Sequence, residues 1–199
     1  MSELSLGFAE PLIGIIVGVG LAASCGFRVF VPMLVTSVAA KAGQLELGEG
    51  WSWIASWPAI IGFGVATLME IGGYCIPWID NLLDALASPA AVIAGTLLTA
   101  ACVSDLSPWL QWSTAIIVGG GAAGLVQSMT VAARGTSTAT TGGLGNPLFA
   151  AVELFTSAIL SVVAVLAPLL AVLLFCLAAF FIVRRVLRRR AKAASQAAP

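Results

Sequence analysis

Three ionisable side chains stand inside apolar runs: Arg28 in GLAASCGFRVFVP, Glu70 in LMEI and Glu153 in AVEL. A charge at bilayer depth costs at least ~2.5 to 3.5 kcal/mol on insertion scales, so each must face protein or water and hold a partner. The chemistry open to them is ion pairing, proton carriage or the seating of a charged solute, and Arg28 with Glu70 is the first pairing to expect. A fourth feature is RGTSTATTGGLGNP, Arg134 to Pro147, a polar interruption just ahead of Glu153. Gly142, Gly143 and Gly145 open backbone conformations closed to other residues. With Thr140, Thr141 and Asn146, freed amides there could wrap a small ligand or an anion at a helix start. No Gly-Lys-Ser/Thr follows, so it is not a Walker A loop. The expectation is a re-entrant, substrate-facing element lined by Arg134 and these residues, in preference to an ordinary loop.

Asp80 and Asp84 in PWIDNLLDAL are four apart and share one face of a helix. Such a pair can hold Mg²⁺ against a phosphate, but it is equally a common polar feature of a membrane boundary, so it is a weak metal candidate.

These residues sit in a chain of 199 residues that is 60% hydrophobic and 9% charged, with a mean hydropathy of +1.06, which marks an integral membrane protein. Histidine is absent, Lys occurs only at Lys41 and Lys192, and Cys25, Cys75, Cys102 and Cys176 show no CxxC spacing. That composition argues against His-ligated haem or zinc, His acid-base catalysis and an intramembrane Lys Schiff base. No cofactor is implied, and the cysteines read as small core residues. Glu3 and Glu10 precede the first apolar run with no basic residue, unlike a secretory signal peptide. Arg184, Arg185, Arg188, Arg189, Arg190 and Lys192 crowd the C-terminus and read as a positive-inside anchor rather than a nucleic-acid site.

Six apolar segments must position the charges: Pro11 to about Ala40, Trp53 to Ile76, Leu86 to Val103, Pro108 to Ala133, Leu148 to about Val165, and Pro168 to Leu187. The expected fold is an all-α integral membrane domain of six transmembrane helices over 1–187, with a basic cytoplasmic tail at 188–199. Six spans with that tail inside put both termini in the cytoplasm. Lys41 and the indoles of Trp51, Trp53, Trp57, Trp109 and Trp112 then share the external face. Segment one is too long to span upright, and Gly26, Arg28 and Pro32 point to a tilt, kink or break. Gly14/Gly18 and Gly120/Gly124 are GxxxG spacings, read first as tight packing within the bundle. Matches such as IIVGVG with IIVGGG, VAAK with VAAR and LMEI with AVEL suggest two inverted three-helix repeats, 11–104 and 108–187, a transporter design with its site where the copies meet.

GLAASCGFRVFVP, MEIGGYCIPWIDNLLD, SPAAVIAGTLL and RGTSTATTGGLGNP together resemble a bacterial multi-pass inner-membrane family classed as a domain of unknown function. The resemblance covers most of the chain before the basic tail and implies a small inner-membrane protein with no established activity.

The sequence favours a small inner-membrane transporter or channel for a small solute or ion, with the bilayer as surroundings and a homo-oligomer as the assembled form. The alternative is a non-transporting scaffold or assembly factor whose buried charges only set packing. A Mg²⁺-dependent lipid-phosphate enzyme at Asp80 and Asp84 ranks third, for want of His or a convincing nucleophile.

Overall fold

The computed structural model describes residues 2–73, 77–104 and 106–177 together with Phe180 and Arg184, and side chains from Pro11 onward except those at 77–82 and 84. The described residues form helices and no strand: α1 (Ser2–Cys25), α2 (Phe30–Lys41), a 3₁₀ turn (Ser52–Ala55), α3 (Trp57–Gly73), α4 (Pro77–Cys102), α5 (Pro108–Thr114), a π turn (Ala115–Gly120), α6 (Gly121–Thr141), α7 (Asn146–Leu166) and α8 (Pro168–Leu177). Three stretches are long and apolar enough to cross a membrane: Ala85–Cys102, Pro108–Thr141 and Asn146–Leu166. Around them stand the shorter apolar helices Pro11–Cys25, Phe30–Lys41, Trp57–Gly73 and α8. Local chemistry sets several ends. Pro108, Pro147 and Pro168 open helices, where a missing N–H is harmless, and Gly142 ends α6 in the left-handed conformation at φ +64°.

The first segment is not one spanning helix. Gly14 of α1 packs on Cys102 at the C-terminal end of α4, while Ala22 lies lower on α4, at Gly95. After α2 the chain is back at the same end, where the Gly48 N–H donates to Ala101 O at 2.9 Å. α1 and α2 therefore form an antiparallel hairpin, with residues 26–29 at its tip. The apolar part of α1, Pro11–Cys25, is about 22 Å long at ~1.5 Å per residue, less than a ~30 Å hydrocarbon core. The tilt, kink or break expected at Gly26 to Pro32 is thus a full reversal, and the first segment supplies no continuous spanning helix. The expected repeats also differ here in shape. Residues 11–41 fold back on themselves, whereas Pro108–Thr141 runs on as one long helix interrupted only by the π turn.

α4 is the pillar against which the hairpin and the long helix pack. A Cβ added at Gly18 would lie 2.9 Å from the Thr99 Cα, and one at Gly120 would lie 2.7 Å from Thr96 Oγ1. Both GxxxG pairs thus lie against α4 within the chain, as the packing reading expected. Thr99 Oγ1 donates to Gly18 O at 3.1 Å and Ser157 Oγ of α7 donates to Ser24 O at 3.0 Å, so the close contacts also carry interhelical hydrogen bonds. Leu21, Cys25, Leu98, Cys102, Ala123, Ala164 and Ala171 fill the core between them.

At the end where the hairpin opens, Gln111 Nε2 donates to both Ala100 O and Val103 O at 2.9 Å. It supplies partners for carbonyls that the last turn of α4 leaves open. Trp51 lies 6.3 Å from Trp112 and the Lys41 ammonium sits 4.9 Å from the Trp57 ring. The indoles of the second and fourth segments do share one end of the bundle.

Gly18→Leu should overpack the α1–α4 contact and lower stability by about 1–3 kcal/mol or more. Gly62→Ala, on the open face of α3 with nothing within 4 Å, should stay within about 0.5 kcal/mol of wild type or gain slightly. Thermal unfolding of the two variants in one detergent compares them, and equal losses would refute the packing described.

Candidate functional site at the hairpin tip

A helix that ends inside a bundle leaves amides and carbonyls without partners, and hydrocarbon offers none. α1 meets part of this need itself: Phe27 N–H and Arg28 N–H both donate to Ser24 O, at 3.1 and 3.2 Å. Gly26 is required at the bend because a Cβ there would come within 2.6 Å of Ala123 O on α6. The other half of the tip is capped from a distance. Val29 N–H donates to Glu70 Oε1 at 3.0 Å and Phe30 N–H to Glu70 Oε2 at 3.2 Å. Val29, at the cap position, has no side-chain acceptor of its own, so the Glu70 carboxylate of α3 does the work of an N-cap for α2. An anion at a helix N-terminus is also favoured by the helix dipole.

Arg28 leaves the tip in the other direction. Its Nη2 donates to Ala150 O at 2.9 Å and stands 3.6 Å from Glu153 Oε2. Arg134 grips the same carboxylate side-on: Nε donates to Glu153 Oε1 at 3.0 Å, and Nη2 makes a short bond to Oε2. Arg28, Glu70, Arg134 and Glu153 are 2%, 7%, 3% and 6% exposed, so all are effectively buried. The expected Arg28–Glu70 pair is present as a through-space attraction. The direct contacts differ: Arg28 also reaches Glu153, because α7 passes beside the guanidinium, and Glu70 accepts from the two backbone amides that follow Arg28 in the chain.

The Thr/Gly-rich segment also differs from expectation. Arg134 to Thr141 continue α6 as helix, and only Gly142 to Gly145 turn before Asn146 starts α7. The segment is thus neither a long loop nor re-entrant. The element that turns back inside the bundle is the α1–α2 hairpin. Thr140 Oγ1 donates to Thr136 O at 2.9 Å and Thr141 Oγ1 to Ser137 O at 2.8 Å, so the hydroxyls are absorbed along the helix. Thr140, Thr141 and Gly142 are exposed, Gly143, Gly145 and Asn146 half-buried, and Asn146 Nδ2 donates to Thr138 Oγ1 at 3.1 Å. Of the candidates in this stretch, only Arg134 reaches the buried cluster.

Beside the cluster lies a cavity of about 520 Å³ between α6, α7 and α8, reaching Phe27 at the hairpin tip. Glu153 is the charged member of its wall; Thr130 and Thr156 are the other polar ones, and the rest is apolar, with Met129, Phe149 and Phe175 among it. Apart from Glu153, sequence reasoning missed this cavity and its lining, and also the buried Ser137 beneath the α6–α7 turn. The remaining candidates, Asp80 and Asp84, lie on α4, with side chains outside the described residues. No group of three or more His, Cys, Asp or Glu suited to a metal ion occurs among the described residues.

Residues 15–188 match the family model described as a domain of unknown function, DUF4126. No curated protein and no solved structure matches the chain.

Removing one member of a buried ion pair leaves the other uncompensated and typically costs 3–5 kcal/mol, whereas replacing both by apolar residues is often near neutral. Arg134→Met should therefore destabilise far more than the double variant Arg134→Met/Glu153→Leu relative to Glu153→Leu alone. A double-mutant cycle followed by thermal unfolding in detergent measures the coupling, and additive losses would contradict the Arg134–Glu153 contact.

Proposed function

The chain belongs to the DUF4126 family, which supplies no activity, and from the geometry of its own site we propose that it is a small-solute or ion transporter or channel of the bacterial inner membrane. One observation carries the reading: a hairpin that turns back inside the bundle ends in a buried charged cluster, one member of which, Glu153, forms part of the wall of a solute-sized cavity. Broken helices whose half-helix ends face a polar site at depth are a recurrent transporter device. Pockets of 300–1,000 Å³ with a few convergent polar groups are the usual form of small-molecule sites, and this cavity falls within that range. Intramembrane ionisable residues that face a cavity mark substrate or ion paths more often than lipid contacts.

Glu153 lines the path, Arg28 and Arg134 hold it from behind, and Glu70 keeps the hairpin tip in register beside them. The basic tail lies in the cytoplasm by the positive-inside rule, and the Trp-bearing end faces outward. A chain this small has room for little more than one site, which favours a homo-oligomer in the membrane.

The scaffold reading has an observation of its own: Arg134 and Glu153 close a fork on each other and each Glu70 oxygen accepts from a backbone amide, as a packing cluster requires. Flux separates the two. Purified protein in liposomes should move a small solute or ion, screened by charge and size, and Glu153→Gln should change that flux at least tenfold while the protein remains folded. Flux unaltered in both Glu153→Gln and Glu70→Gln, with thermal stability lowered in each, is the result that assigns the cluster to packing and the protein to the scaffold class.

A further inference from the structure

α6 and α7 are joined by a short turn, yet beyond it they pack on α1 more than on each other. Gly26 of the hairpin lies against Ala123 and Val126 of α6, and Ser24 O accepts from Ser157 of α7. The cavity is the slot this leaves, with Phe27 of the tip and Leu174 and Phe175 of α8 in its wall. Its lining on α7 follows one face of the helix from Phe149 to Val163, about 21 Å at ~1.5 Å per residue. A volume of about 520 Å³ drawn out over that length admits one hydrocarbon chain and not a helix, which with side chains is about 10–12 Å across. Polarity is graded along the slot. The Arg134–Glu153 fork fixes the register of the two helices and sets Thr130 of α6 level with Thr156 of α7, within a turn of Glu153. Thr130 Oγ1 donates to Gln127 O at 2.9 Å and keeps lone pairs to accept with. Beyond the two threonines, towards Leu125, Ile159 and Val163, the wall is apolar. Charge is balanced behind it, Arg28 and Arg134 against Glu70 and Glu153, each of them engaged. The wall offers no cation and its carboxylate is held by two guanidiniums, so an ionic head of either sign would lose its water without gaining a counterion.

We infer that the slot takes an uncharged single-chain amphiphile, one aliphatic chain with a hydroxyl head. The head sits among Thr130, Thr156 and the Glu153 carboxylate, whose two oxygens have lone pairs to spare for a further donor, and the chain lies along α7 towards Val163. Leu125, Val152, Ile159 and Leu174 are exposed at the open side, and α6 and α7 belong to stretches long enough to cross a membrane, so the molecule enters sideways from hydrocarbon. The inference rests on the transport reading only for the molecule's fate, because occupancy of the slot can be measured without flux. An alkane of the same length fills the apolar end but leaves the hydroxyls and the carboxylate nothing to bond.

The test uses the full chain in phosphatidylcholine nanodiscs with a photoactivatable probe, decanol carrying a diazirine on its chain, and reads the labelled residues by mass spectrometry. Decanol, decane, decanesulfonate and decyltrimethylammonium compete at matched concentrations in the bilayer. Saturable labelling on the slot faces of α6 and α7 is expected, with decanol displacing it at least tenfold better than either ion and at least threefold better than decane. Ala133→Phe, which fills the slot from α6, should weaken labelling at least tenfold. Thr156→Val replaces a hydroxyl by a methyl and should weaken displacement by decanol several-fold while leaving decane unchanged, a split that a packing defect does not produce. Size-exclusion and thermal profiles establish that each variant is folded, and if Ala133→Phe does not fold, Thr156→Val decides. Displacement by either ion equal to that by decanol, decane matching decanol, or unchanged behaviour in either folded variant overturns the inference. So does labelling of the slot by a phosphatidylcholine with a diazirine acyl chain that decanol cannot displace, which would assign the slot to a bilayer phospholipid. Absent saturable labelling alongside Glu153-dependent flux of another solute overturns the inference and leaves transport standing. Saturable labelling with the expected order of competitors, and no flux of any solute, does the reverse.

Discussion

The structure depends on how a hairpin tip is kept inside a membrane protein. Residues 26–29 bring backbone amides and a guanidinium to a place where water is scarce, and an unsatisfied polar group there costs several kcal/mol. Two glutamates from different helices answer that need. Glu70 receives the amides of Val29 and Phe30, and Glu153 receives Arg28, so consecutive residues of the tip are fastened in opposite directions to α3 and α7. Arg134 secures Glu153 in turn, which ties α6 to the same knot. Desolvating so many charges is expensive, and only good geometry and complete hydrogen bonding offset it.

The packing around the knot follows from small residues. Gly14, Gly18, Gly120 and Gly124 let α1 and the long helix lie close to α4, and Ser24 and Ser157 do the same between α1 and α7. Without a hydrophobic difference between lipid and helix surface, such close approach and the hydrogen bonds it allows supply most of the cohesion. α3 is held differently. Its buried residues are Thr67 and Glu70, and most of its remaining surface is apolar and open, so the carboxylate cap is a large part of what docks it.

Much of this was legible in the sequence, and the failures have physical causes. Isolated charges in apolar runs identified Arg28, Glu70 and Glu153, since burial of a charge is conspicuous whatever its partner. Arg28 and Glu70 do attract each other, but the Arg28–Glu153–Arg134 contacts were not legible, because they depend on which helix passes each side chain in three dimensions. Gly26 and Pro32 signalled a break but not its direction, and a chain that continues differs from one that turns back only in tertiary contacts. The Thr/Gly run misled because Thr and Gly are turn formers by composition, whereas here Thr136, Thr140 and Thr141 satisfy their hydroxyls on carbonyls four residues back within a helix that runs to Gly142. Beyond Glu153 the cavity left no local signal, since most of its wall is ordinary apolar residues of three helices.

The π turn at Ala115–Gly120 bears on all of this from a distance. A π turn holds one residue more than the α-helix it interrupts, and each residue rotates a helix by about 100°. Everything beyond it on α6 is therefore out of phase with α5. The stripe of Ala122, Ala123, Val126, Gln127 and Arg134 faces inward beyond that offset. Trp112 and Arg134 belong to one continuous rod yet obey different azimuths, and the wide turn is the joint that lets the same helix end against the indoles above and the carboxylate below.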